Sequence, residues 1–356
     1  MEKIELKPSQ MALAVADAIR SNVVPIVLGS PGMGKSDIIK QTIASPELFK
    51  YFEQQYWRKG RQEFGAVKIV DERTSTMDLT DWRGVPDIDR KAQRTVWYPP
   101  DFLPRATDGP TVVFFDEITQ TPPQCQPPLY QLLLDRKLGT VYTAPESTRF
   151  VAAGNLMDDG TFANKIGAAL RDRMVVIYLK PDLDDWCTWA YRANIEPAVI
   201  AFNRFKRDAL YRFNRAEWAS PTARGWEFVS RIVTNAKNNG AVRDALIAGK
   251  IGYPMMIEYT AFERLFNSLP SIDAIILNPD TAQLPPADKP ELAYAVSNAL
   301  SLAATVKNLN RIMMYLERLS EEYNVFAVRT ALQRDVKLNS TSAFTAWAVQ
   351  HAAALS

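Results

Sequence analysis

One histidine and two cysteines in 356 residues leave little room for several kinds of chemistry. His351 stands close to the C-terminal end, so histidine-based catalysis and multi-histidine metal sites are set aside. Cys125 and Cys187 lie far apart and in no metal-ligand spacing, the pattern of two reduced thiols. Charge of either sign is also scarce in the balance. The 42 Lys and Arg against 40 Asp and Glu leave a net +2, which gives no bulk reason to expect nucleic acid. No apolar run approaches the ~20 residues that a membrane helix needs. The opening Met1-Glu2-Lys3-Ile4-Glu5-Leu6-Lys7 alternates charge and lacks the apolar core of a signal peptide. A soluble, cytoplasmic protein with no membrane partner is expected. There is no internal repeat and no low-complexity tract. A hydrophobic content of 47% is enough for a real core, and the length predicts one large or two medium domains.

What is present centres on Gly29-Ser30-Pro31-Gly32-Met33-Gly34-Lys35-Ser36. It follows the apolar run Val23–Leu28 and precedes Asp37-Ile38-Ile39-Lys40, which starts a helix. This is the G-x-x-x-x-G-K-[ST] pattern between strand and helix. Its glycines let a loop wrap closely, so that backbone N–H groups point inward at phosphate oxygens. The helix adds its positive end. Lys35 can reach the β- and γ-phosphates, and the Ser36 hydroxyl can ligate Mg²⁺. These residues predict binding of a nucleoside triphosphate with Mg²⁺; which base it carries is not read from the loop.

Thr111-Val112-Val113-Phe114-Phe115-Asp116-Glu117 predicts a buried parallel strand with carboxylates at its C-terminal edge. Downstream of a phosphate loop, Asp116 suits the Mg²⁺ shell and Glu117 suits polarising a water. Val151-Ala152-Ala153-Gly154-Asn155 predicts another buried strand, which brings Asn155 to the same edge, where an amide can orient water. Residues 8–22 read as an amphipathic helix with Ser9 as N-cap and Met11, Leu13, Ala14, Val15, Ala18 and Ile19 inward. A strand is expected at Ala66–Asp71, and a short helix with a hairpin in the long excursion Glu72–Pro100. A helix is expected at Pro127–Lys137, strand-like arms around Pro145, and a helical turn Ala168–Arg173 before the strand Met174–Leu179. Five strands alternating with helices give an α/β layer structure with a parallel sheet. From Pro181 onward helical segments dominate, among them Ile195–Asn214, Thr222–Asn238, Asn308–Tyr323 and Ala343–Ala354. The expected domains are therefore 1–180, α/β and nucleotide-binding, and 181–356, all-α.

Taken in order, these features resemble the AAA+ ATPases, and more closely the MoxR group and its dynein-related relatives. Asp116-Glu117-Ile118-Thr119-Gln120-Thr121-Pro122-Pro123 is similar to that group's acidic strand and turn. Leu132–Thr140 and Ala152–Asn155 resemble its pre-sensor hairpin and sensor-1 strand. Asp78–Pro100 sits where this clade inserts a hairpin in its second helix, and Ser220–Glu227 resembles the sensor-2 helix of its lid. The resemblance covers about residues 8–260. It implies a P-loop core followed by a helical lid, with Asn155 as sensor 1, Arg173 as arginine finger and Arg224 as sensor-2 arginine. Two departures stand out. Met174 replaces the aromatic that usually follows the finger, with Arg171 as a competing candidate. Thr222 and Ala223 separate Arg224 from Pro221. The resemblance further implies a homo-oligomeric ring, expected to be a hexamer, and a protein partner such as a von Willebrand factor A domain protein.

Three functions fit these residues. The leading one is an ATP-driven remodeller of a protein. A second is a nucleic-acid motor, for which Tyr191–Arg224 offers Arg192, Arg204, Lys206, Arg207, Arg212 and Arg215 among Phe202, Phe205, Tyr211 and Phe213. An amphipathic helix with snorkelling arginines explains that run as well. The third is a nucleotide-gated scaffold with little hydrolysis, against which Glu117 speaks.

Overall fold

A computed structural model describes residues 3–57, 64–156, 167, 171–237, 240–267 and 271–351. The chain divides into two compact units, Met1–Asp182 and Leu183–Ser356.

The first unit is built on a six-stranded sheet in which all pairings are parallel. In chain order its strands are β1 (Glu5–Leu6), β2 (Val24–Leu28), β3 (Lys68–Arg73), β6 (Thr111–Asp116), β9 (Thr148–Gly154) and β10 (Met174–Leu179). Their order across the sheet is β1-β10-β2-β9-β6-β3. Both faces are covered, which is why these strands read as unbroken apolar runs. Val27, Val112, Phe114, Val151 and Ala153 pack on one side against the helices α1 (Pro8–Arg20), α2 (Lys35–Ile43) and α3 (Pro46–Trp57). Ile26, Val113, Phe115, Phe150 and Ala152 pack on the other side with Trp82, Leu129 and Leu132. Those three come from α4 (Leu79–Arg83) and α5 (Gln126–Asp135). The result is an α/β/α sandwich with β2 central, flanked by β10 and β9.

Several local expectations shift. The N-cap of the first helix is Lys7, not Ser9, because Pro8 fits the first helical turn, where its missing N–H costs nothing. Lys7 N donates instead to Gln10 Oε1 at 3.3 Å. Leu13 points outward, 67% exposed, while Met11, Val15, Ala18 and Ile19 form the buried stripe. Glu5–Leu6 adds an edge strand, paired with Tyr178 and Leu179, that two residues within a charged N-terminal stretch do not advertise. The excursion after β3 holds a 3₁₀ turn (Thr74–Thr76), α4 and an antiparallel hairpin of β4 (Val85–Asp89) with β5 (Arg94–Tyr98). Gly84 at its base has φ +76°, and a Cβ there would stand 1.9 Å from Tyr98 O. A smaller hairpin of β7 (Lys137–Leu138) with β8 (Tyr142–Thr143) precedes β9. Residues 168–170 of the expected turn before β10 lie outside the described residues.

The second unit is helical. Its two cores centre on Phe202, Trp226 and Tyr259 and on Tyr315, Leu316 and Trp347. Trp226 Nε1 donates to Ala209 O at 2.8 Å and Trp347 Nε1 to Asn324 Oδ1 at 2.8 Å, so both indoles are buried with their polar atom satisfied. The segment expected as one helix over 195–214 ends as Pro197–Phe205, followed by a 3₁₀ turn and a loop. That over 308–323 is Leu309–Leu316, with Glu321–Arg334 as a separate helix. Ser320 is the N-cap of the latter, and a short helix, Ile272–Leu277, was not expected. His351 stacks on Trp347 with ring centroids 4.9 Å apart.

Candidate functional site

Because all strands run parallel, their C-terminal ends share one edge, and the crevice there opens beside the central strand. Leu28 of β2 pairs with Gly154 of β9, and Gly29 N donates to Gly154 O at 3.4 Å. Asp116 ends β6, the next strand over, and pairs with Arg73 at the end of β3. Asp116 and Asn155 thus stand at this edge beside the glycine loop.

The loop 29–34 depends on glycine at two positions of positive φ, Gly32 at 77° and Gly34 at 86°, the second being the N-cap of α2. Gly29 is needed for a different reason: a Cβ there would meet Met33 Sδ at 3.2 Å and Leu179 Cβ at 3.3 Å. The loop folds back over Lys35, which is only 8% exposed. Its ammonium donates to Gly29 O at 2.6 Å, Ser30 O at 3.0 Å and Asn155 Oδ1 at 3.0 Å. A buried ammonium needs such acceptors to offset its lost hydration. An ammonium can only donate, so the atom of Asn155 that faces it is the oxygen, and the amide NH₂ is turned elsewhere.

A second line of contacts runs parallel to the first. Ser36 Oγ donates to Asp116 Oδ2 at 2.6 Å, and Glu117 N donates to Asp116 Oδ1 at 2.8 Å. Glu117 itself is held in the left-handed region at φ 57°, unusual for a non-glycine residue. Its carboxylate accepts a short hydrogen bond from Ser75 Oγ. Beneath these lie hydroxyls that sequence reasoning passed over. Thr74 Oγ1 donates to Asp116 O at 3.2 Å, and Thr121 Oγ1 donates to Thr74 Oγ1 at 2.7 Å. Thr119 Oγ1 accepts from Asn155 N at 3.0 Å. Thr119 is wedged against the strand end, since a Cβ on Gly154 would come 2.6 Å from Thr119 Cγ2. Thr74, Ser75 and Thr119 each follow closely on a strand that ends at the crevice. That position was the available signal.

Residues 9–174 match the family described as AAA domain (dynein-related subfamily). This segment is an AAA domain of the dynein-related subfamily. The AAA domain spans nearly all of the first unit. It gives the chain a P-loop ATPase fold, followed by a helical second unit. Among solved structures, NtrX from Brucella abortus in complex with ATP is similar at 14% identity. The likeness covers 94% of this chain and 69% of that one, with a TM-score of 0.40. Thermotoga maritima RuvB, a Holliday junction branch migration motor, is similar at 14% identity over 87% and 86% of the two chains, with a TM-score of 0.37. At such TM-scores these likenesses add nothing to the assignment, which rests on the domain match. No curated protein matches the sequence.

The remaining candidates lie elsewhere. Arg173 directly precedes β10 of the AAA domain, where Met174 pairs with Val24 and Tyr178 with Leu28. It therefore stands at the opposite edge of the sheet from the glycine loop, about 20 Å away over six residues at ~3.3 Å each. Arg171 is exposed just before it. Arg224 is exposed in the first turn of the helix Ala223–Asn235 of the second unit, whose N-cap Thr222 accepts from Gly225 N at 3.0 Å. The basic and aromatic run 191–224 does not form a continuous surface. Phe202 and Arg204 are buried, and Lys206, Arg207 and Arg212 pair with Glu258, Asp184 and Asp208. No described helix is long and apolar enough to cross a membrane.

Proposed function

We propose that this chain is an ATP-hydrolysing ring motor of MoxR type that remodels or activates a protein partner. The observation that carries the reading is the convergence of Lys35, Ser36, Asp116, Glu117 and Asn155 at one sheet edge, beside the glycine loop. The loop Gly29, Ser30, Pro31, Gly32, Met33 and Gly34 cradles the phosphates, with the N–H groups of all but Pro31 available to donate. Lys35 exchanges some of its present acceptors for phosphate oxygens. The hydroxyl of Ser36 and the carboxylate of Asp116 are hard oxygen donors side by side, a pair that fits Mg²⁺. When bound, Mg²⁺ neutralises charge on the phosphates.

Glu117 accepts the proton of the attacking water after letting go of the Ser75 hydroxyl. Asn155 holds that water in line. Arg224, in the second unit, is the sensor-2 arginine that the resemblance implies. Arg173, on the far edge of its own sheet, completes the pocket of a neighbouring copy, which supports a ring with heterologous interfaces, of hexameric size in the group it resembles. The second unit then acts as a lid whose movement couples hydrolysis to work.

The protein-partner part rests on the β4–β5 hairpin. Val85, Ile88 and Tyr98 there are 68%, 69% and 59% exposed. Next to it a cleft of about 540 Å³ is lined by Arg83, Trp97, Pro127, Pro128 and Val141. Apolar side chains displayed this way suit contact with another protein. A von Willebrand factor A domain protein is the partner class implied by the group resembled. Glu117→Gln tests the reading: it keeps ATP binding and assembly and reduces turnover by at least a hundredfold. Undiminished hydrolysis would overturn the assigned base.

A further inference from the structure

The two acids of the site, Asp116 and Glu117, are joined by one peptide, and that peptide is held from both sides. Its N–H donates to Asp116 Oδ1 at 2.8 Å, and its carbonyl, Asp116 O, accepts from Thr74 Oγ1 at 3.2 Å. Thr74 Oγ1 in turn accepts from Thr121 Oγ1 at 2.7 Å, which also lies 2.8 Å from Ile118 O. A hydroxyl has one proton to give, so Thr121 shares it between Thr74 Oγ1 and the Ile118 carbonyl. The backbone N–H of Thr121 reaches that same carbonyl at 3.3 Å, and Gln120 N donates to Glu117 O at 2.7 Å. Thr74 opens the 3₁₀ turn that follows β3, and Thr121 follows the 3₁₀ turn Ile118–Gln120 after β6. The pair therefore ties together the ends of two neighbouring strands. Both residues are 0% exposed, so neither meets a nucleotide bound in the crevice. What needs holding is Glu117. At φ 57° its Cβ crowds the backbone, and a non-glycine residue stays there only where its surroundings fix it. Released, it relaxes toward negative φ and carries its carboxylate to a new direction.

We propose that Thr74 and Thr121 are positioning residues for hydrolysis: their hydroxyl relay onto Asp116 O holds Glu117 in the left-handed conformation and so aims its carboxylate. The inference rests on the reading of Glu117 as the base. Ser75 touches the carboxylate itself, whereas these two hydroxyls act on it only through the backbone. The contacts of Lys35 and of Ser36 with Asp116 Oδ2 do not pass through the relay, so nucleotide binding is left intact.

Thr121→Val keeps the shape of the side chain and removes the hydroxyl. In steady-state ATP turnover by the full chain, kcat falls about ten- to a hundredfold while KM for ATP stays within about twofold, because the misaimed group acts on the reacting water and not on the bound nucleotide. Thr121→Ser, which restores the hydroxyl, recovers most of the parent's kcat, and Thr74→Val repeats the loss. Thr121→Ala, which adds no apolar bulk beside the Ile118 carbonyl, gives the same loss and stands in where the valine variant fails to fold. In Glu117→Gln chains, Thr121→Val lowers the residual single-turnover rate no further, since the carboxylate it aims is gone. A purely structural role would lower the rate alike in both backgrounds. The proposal is overturned if Thr121→Val keeps the parent's kcat, if Thr121→Ser is as slow as Thr121→Val, or if the loss persists in Glu117→Gln chains. Undiminished turnover in Glu117→Gln alone would remove the base, and this inference with it. An inactive Glu117→Gln beside a fully active Thr121→Val would remove only the relay.

Discussion

Gly154→Ala is the sharpest probe of how the site is held. The added Cβ would stand 2.6 Å from Thr119 Cγ2, 3.0 Å from Thr119 Oγ1 and 3.3 Å from Leu28 Cδ2. Carbon atoms in contact ordinarily rest ~3.5–4.0 Å apart, so about 1 Å of overlap with the methyl must be relieved. Thr119 has little room to yield, being 4% exposed and β-branched with its hydroxyl on Asn155 N. Overpacking of this kind costs ~1–3 kcal/mol. For a domain of this size that is a fall in Tm of about 2–12 °C. Asn155 is displaced together with the strand end, so turnover falls as well, through the amide that faces Lys35. Thr119→Ser in the same chain removes the offending methyl and keeps the hydroxyl. The double variant therefore recovers more than half of the loss in both thermal unfolding and ATP turnover, a coupling that a double-mutant cycle measures. A Gly154→Ala protein with the parent's Tm and turnover would refute the wedge. A double variant no better than the sum of the singles would do the same.

Two further outcomes are expected. Mixing Arg173→Ala with Lys35→Ala chains restores some activity that neither has alone, because some mixed pockets hold both groups intact. No gain in an assembly shown to contain both would count against a shared pocket. Gly84→Ala forces a side chain into φ +76° against Tyr98 O, so hydrogen exchange at Val85–Asp89 speeds up by at least tenfold while the central strands stay protected. Unchanged exchange in the hairpin would show that the glycine is not required there.

The sheet and the heart of the site were legible because their signals are local and strong. Val112 to Phe115 read as a two-faced buried strand, and they alternate between the two cores. The glycine loop announces itself by spacing, and Asp116 and Asn155 by ending apolar runs. What escaped has a common cause. Thr74, Ser75 and Thr119 act through single hydrogen bonds to residues 36 to 42 positions away. A hydroxyl after a strand is ordinary turn chemistry until the sheet order is known. Leu13 and the break at Ser320 failed for a different reason. Helical period alone does not say which flank of an apolar stripe meets the sheet, nor that a serine begins a new helix within a continuous helical pattern. In the second unit, the clustering of Arg204 with Tyr191 and Phe326, and of Phe326 with Tyr294, joins segments about ninety or more residues apart, which no spacing rule reaches.

The measurement that bears most directly on the central claim is ATP turnover per chain as a function of chain concentration, followed together with molecular mass by light scattering. Turnover per chain rises steeply over the same concentrations at which mass rises above that of the monomer, because each pocket lacks a cation until a neighbour arrives. Full turnover in a solution that contains only monomers would contradict it.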